Sequence, residues 1–258
     1  VQAIDEIVDP AAAAAAGLDP EQAFVLVPSG SRGLGRSILE PYLAGGTPAL
    51  DPASGDGRDD LTRHDHATAW ARLNRSVIAE RAAEAARCTA TPVADLAHNM
   101  VEITPAGALH RKGAAAADRG LVPVPGSRGT LSYLVEPVVP LVAEALGSLA
   151  HGAGRKYDRA SMHGRVRAKR SDVTRLGRNP FGGHVVCGDR DLLVEEAPEA
   201  YKAIERVIAD LVATGLARVV ATFRPLVTFK RANRSPVHDT GRDRRQAARH
   251  RGGPGGRR

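Results

Sequence analysis

Three short segments of this 258-residue chain set glycine beside a basic side chain: Ser29 to Gly35 (SGSRGLG), Pro125 to Thr130 (PGSRGT) and His151 to Arg155 (HGAGR). Glycine lets backbone N–H groups turn toward an anion without a Cβ in the way, and a neighbouring arginine adds a charge-assisted, bidentate contact. One such turn says little; three in one chain point to a phosphate-rich site. His151 opens the third segment, where an imidazole among phosphate-binding amides could attack phosphorus and form a phosphoramidate. The plain alternative is a histidine at the end of a helix, favoured there by the dipole.

Other histidines are candidates for different work. His98, in Ala94 to Asn99 (ADLAHN), could bind Mn²⁺ or Zn²⁺ through a neutral ring nitrogen, with Asn99 anchoring backbone or a phosphate, although one histidine needs partners to hold a metal. His64 and His66 flank Asp65 but do not have the i, i+4 spacing of a helical metal pair, and they read as solvent-facing. His110 to Gly113 (HRKG) concentrates positive charge before a glycine turn, which suits a phosphate backbone.

The elements that must position these residues are read from pattern. A strand (VQAIDEIV) opens the chain, and the run of alanines from Ala11 to Ala16 reads as a tolerated insertion. Phe24 to Val27 reads as a strand feeding the first glycine loop, and residues 41–60 as a loop. Trp70, Leu73, Val77 and Ile78 recur at helical spacing between Leu61 and Arg87 and predict a long amphipathic helix. Strands are expected at Leu121 to Val124 and Ser132 to Val135, and a helix over Val138 to Ala150 that delivers the chain into His151. Residues 155–180 read as a basic, solvated stretch. Pro198 starts a helix carrying Tyr201, Ile204, Ile208 and Leu211 on one face, which Gly215 ends. Short strands near Val219 and from Leu226 to Phe229 close the ordered part. Short strands alternating with unequal helices predict an α+β fold, with mixed sheets, flanking helices and no regular βαβ repeat.

Composition bounds the function. The net charge of +7 suggests a polyanion partner, but residues 231–258 hold nine Arg and two Asp and so carry all of it. The first 230 residues balance 27 basic against 27 acidic side chains, so nucleic-acid binding must rest on local sites. That tail reads as a disordered Arg/Gly-rich segment after a domain spanning residues 1–230. Aromatic residues make up only 3%, which argues against a base-stacking surface. Two cysteines without metal or disulfide spacing fit a reducing cytoplasm, and no apolar run approaches the length of a membrane span.

In order, SGSRGLG, AHN, HRKGA, PGSRGTLSY, HGAGR, EEAPEAYK and RPLVTFK resemble the RtcB-like family of RNA-splicing ligases over roughly residues 1–230. HRKGAAAADRG, SLAHGAGRK and CGDRDLLVEEAPEAYK are closest to the bacterial branch coupled to release factor H, which implies a link to a release-factor-like protein. The resemblance implies an enzyme that uses GTP and Mn²⁺ to join RNA 2′,3′-cyclic phosphate or 3′-phosphate ends to 5′-hydroxyl ends through a GMP–histidine intermediate. It implies His151 as the guanylylated residue and His98 as a Mn²⁺ ligand. Around the guanylate it implies Asn99, Gly126, Ser127, Ser132, Gly152, Ala153, Gly154, Tyr201 and Lys230, and facing RNA phosphates Arg32, Lys112, Arg155 and Arg159.

Two departures weigh against activity. Pro28 stands where the family has a metal-binding histidine before SGSRG, and the family's Asp-x-x-Cys and Gly-Asn-His ligand segments are expected upstream of Val1. A truncated or impaired ligase and a catalytically degenerate nucleotide- or RNA-binding relative are therefore the competing expectations.

Overall fold

A computed structural model describes residues 1–46, 49–166 and 174–230. The Arg/Gly-rich tail lies outside the described residues, as does part of the basic stretch. The centre is a five-stranded antiparallel sheet in the order β2-β1-β10-β7-β6. Its strands are β1 (Gln2–Ile7), β2 (Ala23–Phe24), β6 (Val122–Val124), β7 (Ser132–Pro137) and β10 (Ala217–Pro225). Three two-stranded sheets surround it. Two are antiparallel, β3 (Asn99–Thr104) with β4 (Gly107–Lys112) and β5 (Ala114–Ala116) with β8 (Ser148–Ala150). The third pairs β9 (His184–Cys187) with β11 (Val227–Lys230) in parallel. The α+β expectation holds.

Adjacent residues of a strand face opposite sides, and this sheet is covered on both. On β7, Val135 joins a core with Val122, Val124, Val142, Ile204, Ile208 and Leu211, whereas Leu134 joins Ile4, Ala13, Leu18, Val220 and Phe223 on the other face. A third cluster, built on Met162, Val166, Leu176, Val194, Ala197 and Ala200, lies apart from the sheet.

Several expectations about elements need correction. The alanine run is a helix, α1 (Pro10–Ala15), capped by the Asp9 carboxylate, and it buries Ala13 against the sheet. Of the second expected strand, Phe24 to Val27, only Phe24 pairs, together with Ala23 before it. Residues 41–60 contain the end of α2 (Gly33–Gly45) and the start of α3 (Gly55–Ala85), because Ser54 caps Gly57 N–H and starts α3 early. At 31 residues α3 is about 46 Å long. Its buried residues are Gly57, Ala67, Ala71 and Ala83, while Leu73 is 62% exposed, so the apolar stripe is not the packed face.

The expected helix over Val138 to Ala150 is α4 (Val139–Glu144) followed by β8, so a strand delivers His151. The basic stretch contains α5 (Arg159–Arg165), with Met162 fully buried. Pro198 starts a single 3-10 turn (Pro198–Ala200), and α7 (Ile204–Ala213) begins after Tyr201, which therefore sits between helices. Before that turn comes α6 (Arg190–Glu195).

Candidate functional site

Helix α3 is the spine of one bank of a cleft. Asn74 donates to Ser29 Oγ at 2.9 Å and to Gly30 O at 3.3 Å, and Arg75 donates to Ser29 O at 3.2 Å. Arg75 also binds the Asp95 carboxylate at 2.5 Å, so neighbouring residues of α3 fix both SGSRG and ADLAHN. His64 is not solvent-facing as expected: its Nε2 accepts the Val101 N–H at 3.1 Å and ties β3 to α3.

Strand register places the central histidine. Ala114 pairs with Ala150 across β5 and β8, so the preceding Gly113 meets the following His151. Gly113 has φ +69°, and its N–H donates to His98 O at 2.8 Å and Asn99 Oδ1 at 2.9 Å. Its carbonyl lies 2.5 Å from His151 Nδ1. A carbonyl only accepts, so Nδ1 carries the proton and, in the neutral ring, Nε2 keeps its lone pair. The His98 ring stacks on His151 with centroids 4.3 Å apart and planes tilted by 32°. Desolvation first, and then the neighbouring His151, lower the His98 pKa below the usual imidazole value.

The glycine loops are bound to each other. Ala153 N–H donates to Pro125 O at 3.1 Å, joining HGAGR to PGSRG. Within PGSRG, Ser127 N–H donates to Thr130 Oγ1 at 2.7 Å and Gly129 N–H to Ser127 Oγ at 3.2 Å, so Ser127 braces the turn. Arg128 does not reach into the cleft: it is buried and donates to Leu193 O at 2.9 Å. Ser132 Oγ accepts from Gln2 Nε2 at 2.9 Å.

Opposite, one carboxylate collects four side chains. Glu196, 6% exposed, accepts from Tyr201 Oη at 2.5 Å, Lys230 Nζ at 3.4 Å, Arg155 at 3.2 Å and Arg159 at 3.2 and 3.3 Å. A bridge between Arg155 and Tyr201 and the Lys202 N–H bond to Gly154 O (3.0 Å) fasten HGAGR to this cluster. Burial pushes the Tyr201 phenol up to about 12, helped by the hydrogen bond to Glu196. Burial alone would raise the Glu196 carboxyl; Tyr201, Lys230 and Arg159 outweigh it and hold it below its usual 4.5. A depressed carboxyl stabilises the fold above the unfolded value and loses that contribution as pH falls. Thermal unfolding is therefore expected to shift downward as pH drops from 4.5, with a shallower slope in Glu196→Gln.

The two banks enclose an open cleft of about 2190 Å³. It is lined by Arg32, His98, Gly126, Ser132, His151, Gly152, Ala153, Gly154, Arg155, Arg159, Tyr201 and Lys230, together with Pro28. Asn99, Ser127 and Lys112 are not in the lining. Asn99 braces the Gly113 turn, and Lys112 is exposed in register with Asn99 on β4. Sequence reasoning missed Glu196 as the organiser, although EEAPEAYK was visible as a motif, and missed the Gly113 carbonyl, which no side-chain pattern announces.

The donors present do not make a Mn²⁺ site by themselves. Among the described residues no three His, Cys, Asp or Glu side chains gather as metal ligands, and Pro28 lines the cleft without a lone pair to give. Mn²⁺ is among the weakest binders of the first-row divalent ions and is poorly served by one imidazole.

Comparison with known proteins gives one consistent result. Residues 1–231 match the family model described as tRNA-splicing ligase RtcB. The RNA-splicing ligase RtcB2 of Escherichia coli is 46% identical, over 89% of this chain and 61% of that protein. The RNA-splicing ligase RtcB of Mycobacterium tuberculosis is 32% identical, over 89% of this chain and 62% of its own length. The tRNA-splicing ligase RtcB of Pyrococcus horikoshii is 29% identical, over 89% of this chain and 32% of its own length. The chain thus spans about 61% of the length of the most similar of these three.

Proposed function

We propose that this chain, which belongs to the tRNA-splicing ligase RtcB family, carries the guanylylated histidine of a GTP-dependent RNA ligase. The reaction joins RNA 3′-phosphate or 2′,3′-cyclic phosphate ends to 5′-hydroxyl ends. The observation that carries the reading is the His151 Nδ1 bond to Gly113 O, which leaves Nε2 as the nucleophile at the lip of the HGAGR loop. Nε2 attacks the α-phosphorus of GTP, forming an N–P bond as pyrophosphate leaves. A 2′,3′-cyclic end must first be opened by water to the 3′-phosphate, whose oxygen then takes the GMP as the N–P bond breaks and His151 is freed, and the 5′-hydroxyl displaces GMP to form the phosphodiester.

The rest of the cleft suits these steps. Amides of Gly152 and Gly154 face the nucleotide phosphate, Tyr201 and Lys230 the guanosine, and Arg32 and Arg159 the RNA phosphates, whereas the Ala153 N–H is held by Pro125 O and Arg155 by Tyr157 O, Glu195 O and Glu196. About 2190 Å³ exceeds the roughly 300–1,000 Å³ of a small-molecule pocket and leaves room for a nucleotide and an RNA end together. Mn²⁺ belongs to the reading through the family. No step is assigned to it, because the donors among the described residues do not make its site. No helix among the described residues is long and apolar enough to cross a membrane. A cytoplasmic site of action and a link to a release-factor-like protein are carried by the reading of the sequence alone.

The test is an end-joining assay with GTP and Mn²⁺. Joining is expected for oligoribonucleotides ending in 3′-phosphate or 2′,3′-cyclic phosphate, and not for 3′-hydroxyl ends or with ATP in place of GTP. Pro28→His, which returns an imidazole to the lip of the cleft, is expected to raise the yield severalfold. Joining of 3′-hydroxyl ends, or GTP binding with no joining in either protein, would sink the proposal.

A further inference from the structure

The Glu196 cluster contains more donors than its carboxylate can satisfy. An ionised carboxylate offers about four lone-pair sites, and five contacts of 2.5–3.4 Å reach this one. The crowding is on one oxygen: Oε1 takes Arg155 at 3.2 Å and Arg159 at 3.2 and 3.3 Å, while Oε2 takes Tyr201 and Lys230. Three cations face one buried anion there. Glu195 adds a second carboxylate only at 3.9 Å from Arg159.

The two arginines are not equivalent. Arg155 is fixed independently by Tyr157 O at 3.0 Å and Glu195 O at 2.8 Å, and its side chain is 27% exposed. The Arg159 side chain is 66% exposed and is bound to little besides the two glutamates. A second anion entering the cleft would therefore take Arg159 and leave Arg155, Tyr201 and Lys230 on Glu196.

We propose that Glu196 is a resident anion: its carboxylate holds Arg159 in the place of a phosphate and yields it when an RNA 3′-phosphate arrives. Glu196 is thus a positioning residue that sets how tightly the cleft takes a terminal phosphate, an inference that rests on the ligase reading above. A side chain that served only to fill the site would weaken binding when altered. A resident anion makes the opposite prediction.

The experiment measures binding of a short oligoribonucleotide ending in 3′-phosphate, and of the same oligonucleotide ending in 3′-hydroxyl, at one fixed ionic strength. Glu196→Gln keeps the shape and the acceptor for Tyr201, and the cations it releases are solvent-accessible. It is expected to bind the 3′-phosphate end about two- to fivefold more tightly, the scale of one partly exposed ion pair, with no gain for the 3′-hydroxyl end. Glu196→Asp, which withdraws the charge by one methylene, should show a smaller gain in the same direction and serves if the glutamine variant does not fold. Equal or weaker binding in folded variants, or an equal gain for both ends, overturns the inference. If wild-type His151 is labelled by GTP and affinity does not rise, this inference alone fails. If affinity rises without labelling, the ligase reading fails and the resident anion stands. No binding by any of the proteins overturns both.

Discussion

His151→Ala is expected to abolish transfer of label from α-labelled GTP to the protein, a loss of at least about a thousandfold, as when a covalent nucleophile is removed. The label on the wild-type chain should be acid-labile and base-stable, as a phosphoramidate is. GTP binding should change only severalfold, because the proposed nucleotide site also draws on the Gly152 and Gly154 amides and on Tyr201 and Lys230. Of the two histidines that line the cleft, His151 combines a ring nitrogen fixed as donor with a second one left open: Gly113 O takes Nδ1, and Gly113 is itself fixed by His98 O and Asn99 Oδ1. The neighbouring His98 ring cannot substitute, since it stacks against His151 and lies on a separate backbone segment. Label that survives in His151→Ala would move the nucleophile elsewhere and remove the core of the proposal.

The setting of His151 was only partly legible in the sequence. The motifs announced which residues meet, because glycine, arginine and histidine at those spacings carry chemistry wherever the chain takes them. Sequence could not announce the pairing that brings them together. Strand β1, at the start of the chain, pairs with β10, more than 200 residues later, and no local pattern encodes such a register. The same limit misassigned His151 to a helix end, since Val139 to Ala150 is apolar enough for either helix or strand. Contact across β5 and β8 decides it, and with a strand before it the helix-dipole explanation of His151 lapses. Long-range polar tethers were equally hidden: His64 looked solvent-facing until β3 supplied the Val101 N–H. Glu196 stands in the sequence only as one letter of EEAPEAYK, and nothing local announces the four side chains that converge on it.

Gly126→Ala should cause the largest loss of stability of any single methyl added to the cleft, about 3 kcal/mol or more, as expected when overpacking meets backbone that cannot withdraw. A Cβ there would stand 2.2 Å from Leu131 O and 2.3 Å from Thr130 Oγ1, with Ile204 Cγ2 at 3.3 Å behind. Ile204 is fully buried in the main core and has nowhere to go. Thr130 Oγ1 cannot move without losing the Ser127 N–H that closes the turn. Displacing the loop also carries away Pro125 O, the acceptor for Ala153 N–H, so the HGAGR segment moves with it. Labelling of His151 should therefore fall in Gly126→Ala even under conditions where the protein remains folded. Gly30→Ala is the control: nothing lies within 4 Å of a Cβ at that position, and denaturant unfolding should show a change within about 0.5 kcal/mol. Two glycines of similar motifs would then have separate physical roles. Gly126 permits one loop to pack against another, whereas Gly30 leaves open space at a backbone that α3 holds through Asn74 and Arg75. A loss at Gly30 equal to that at Gly126 would mean that the SGSRG loop is packed against something other than the cleft.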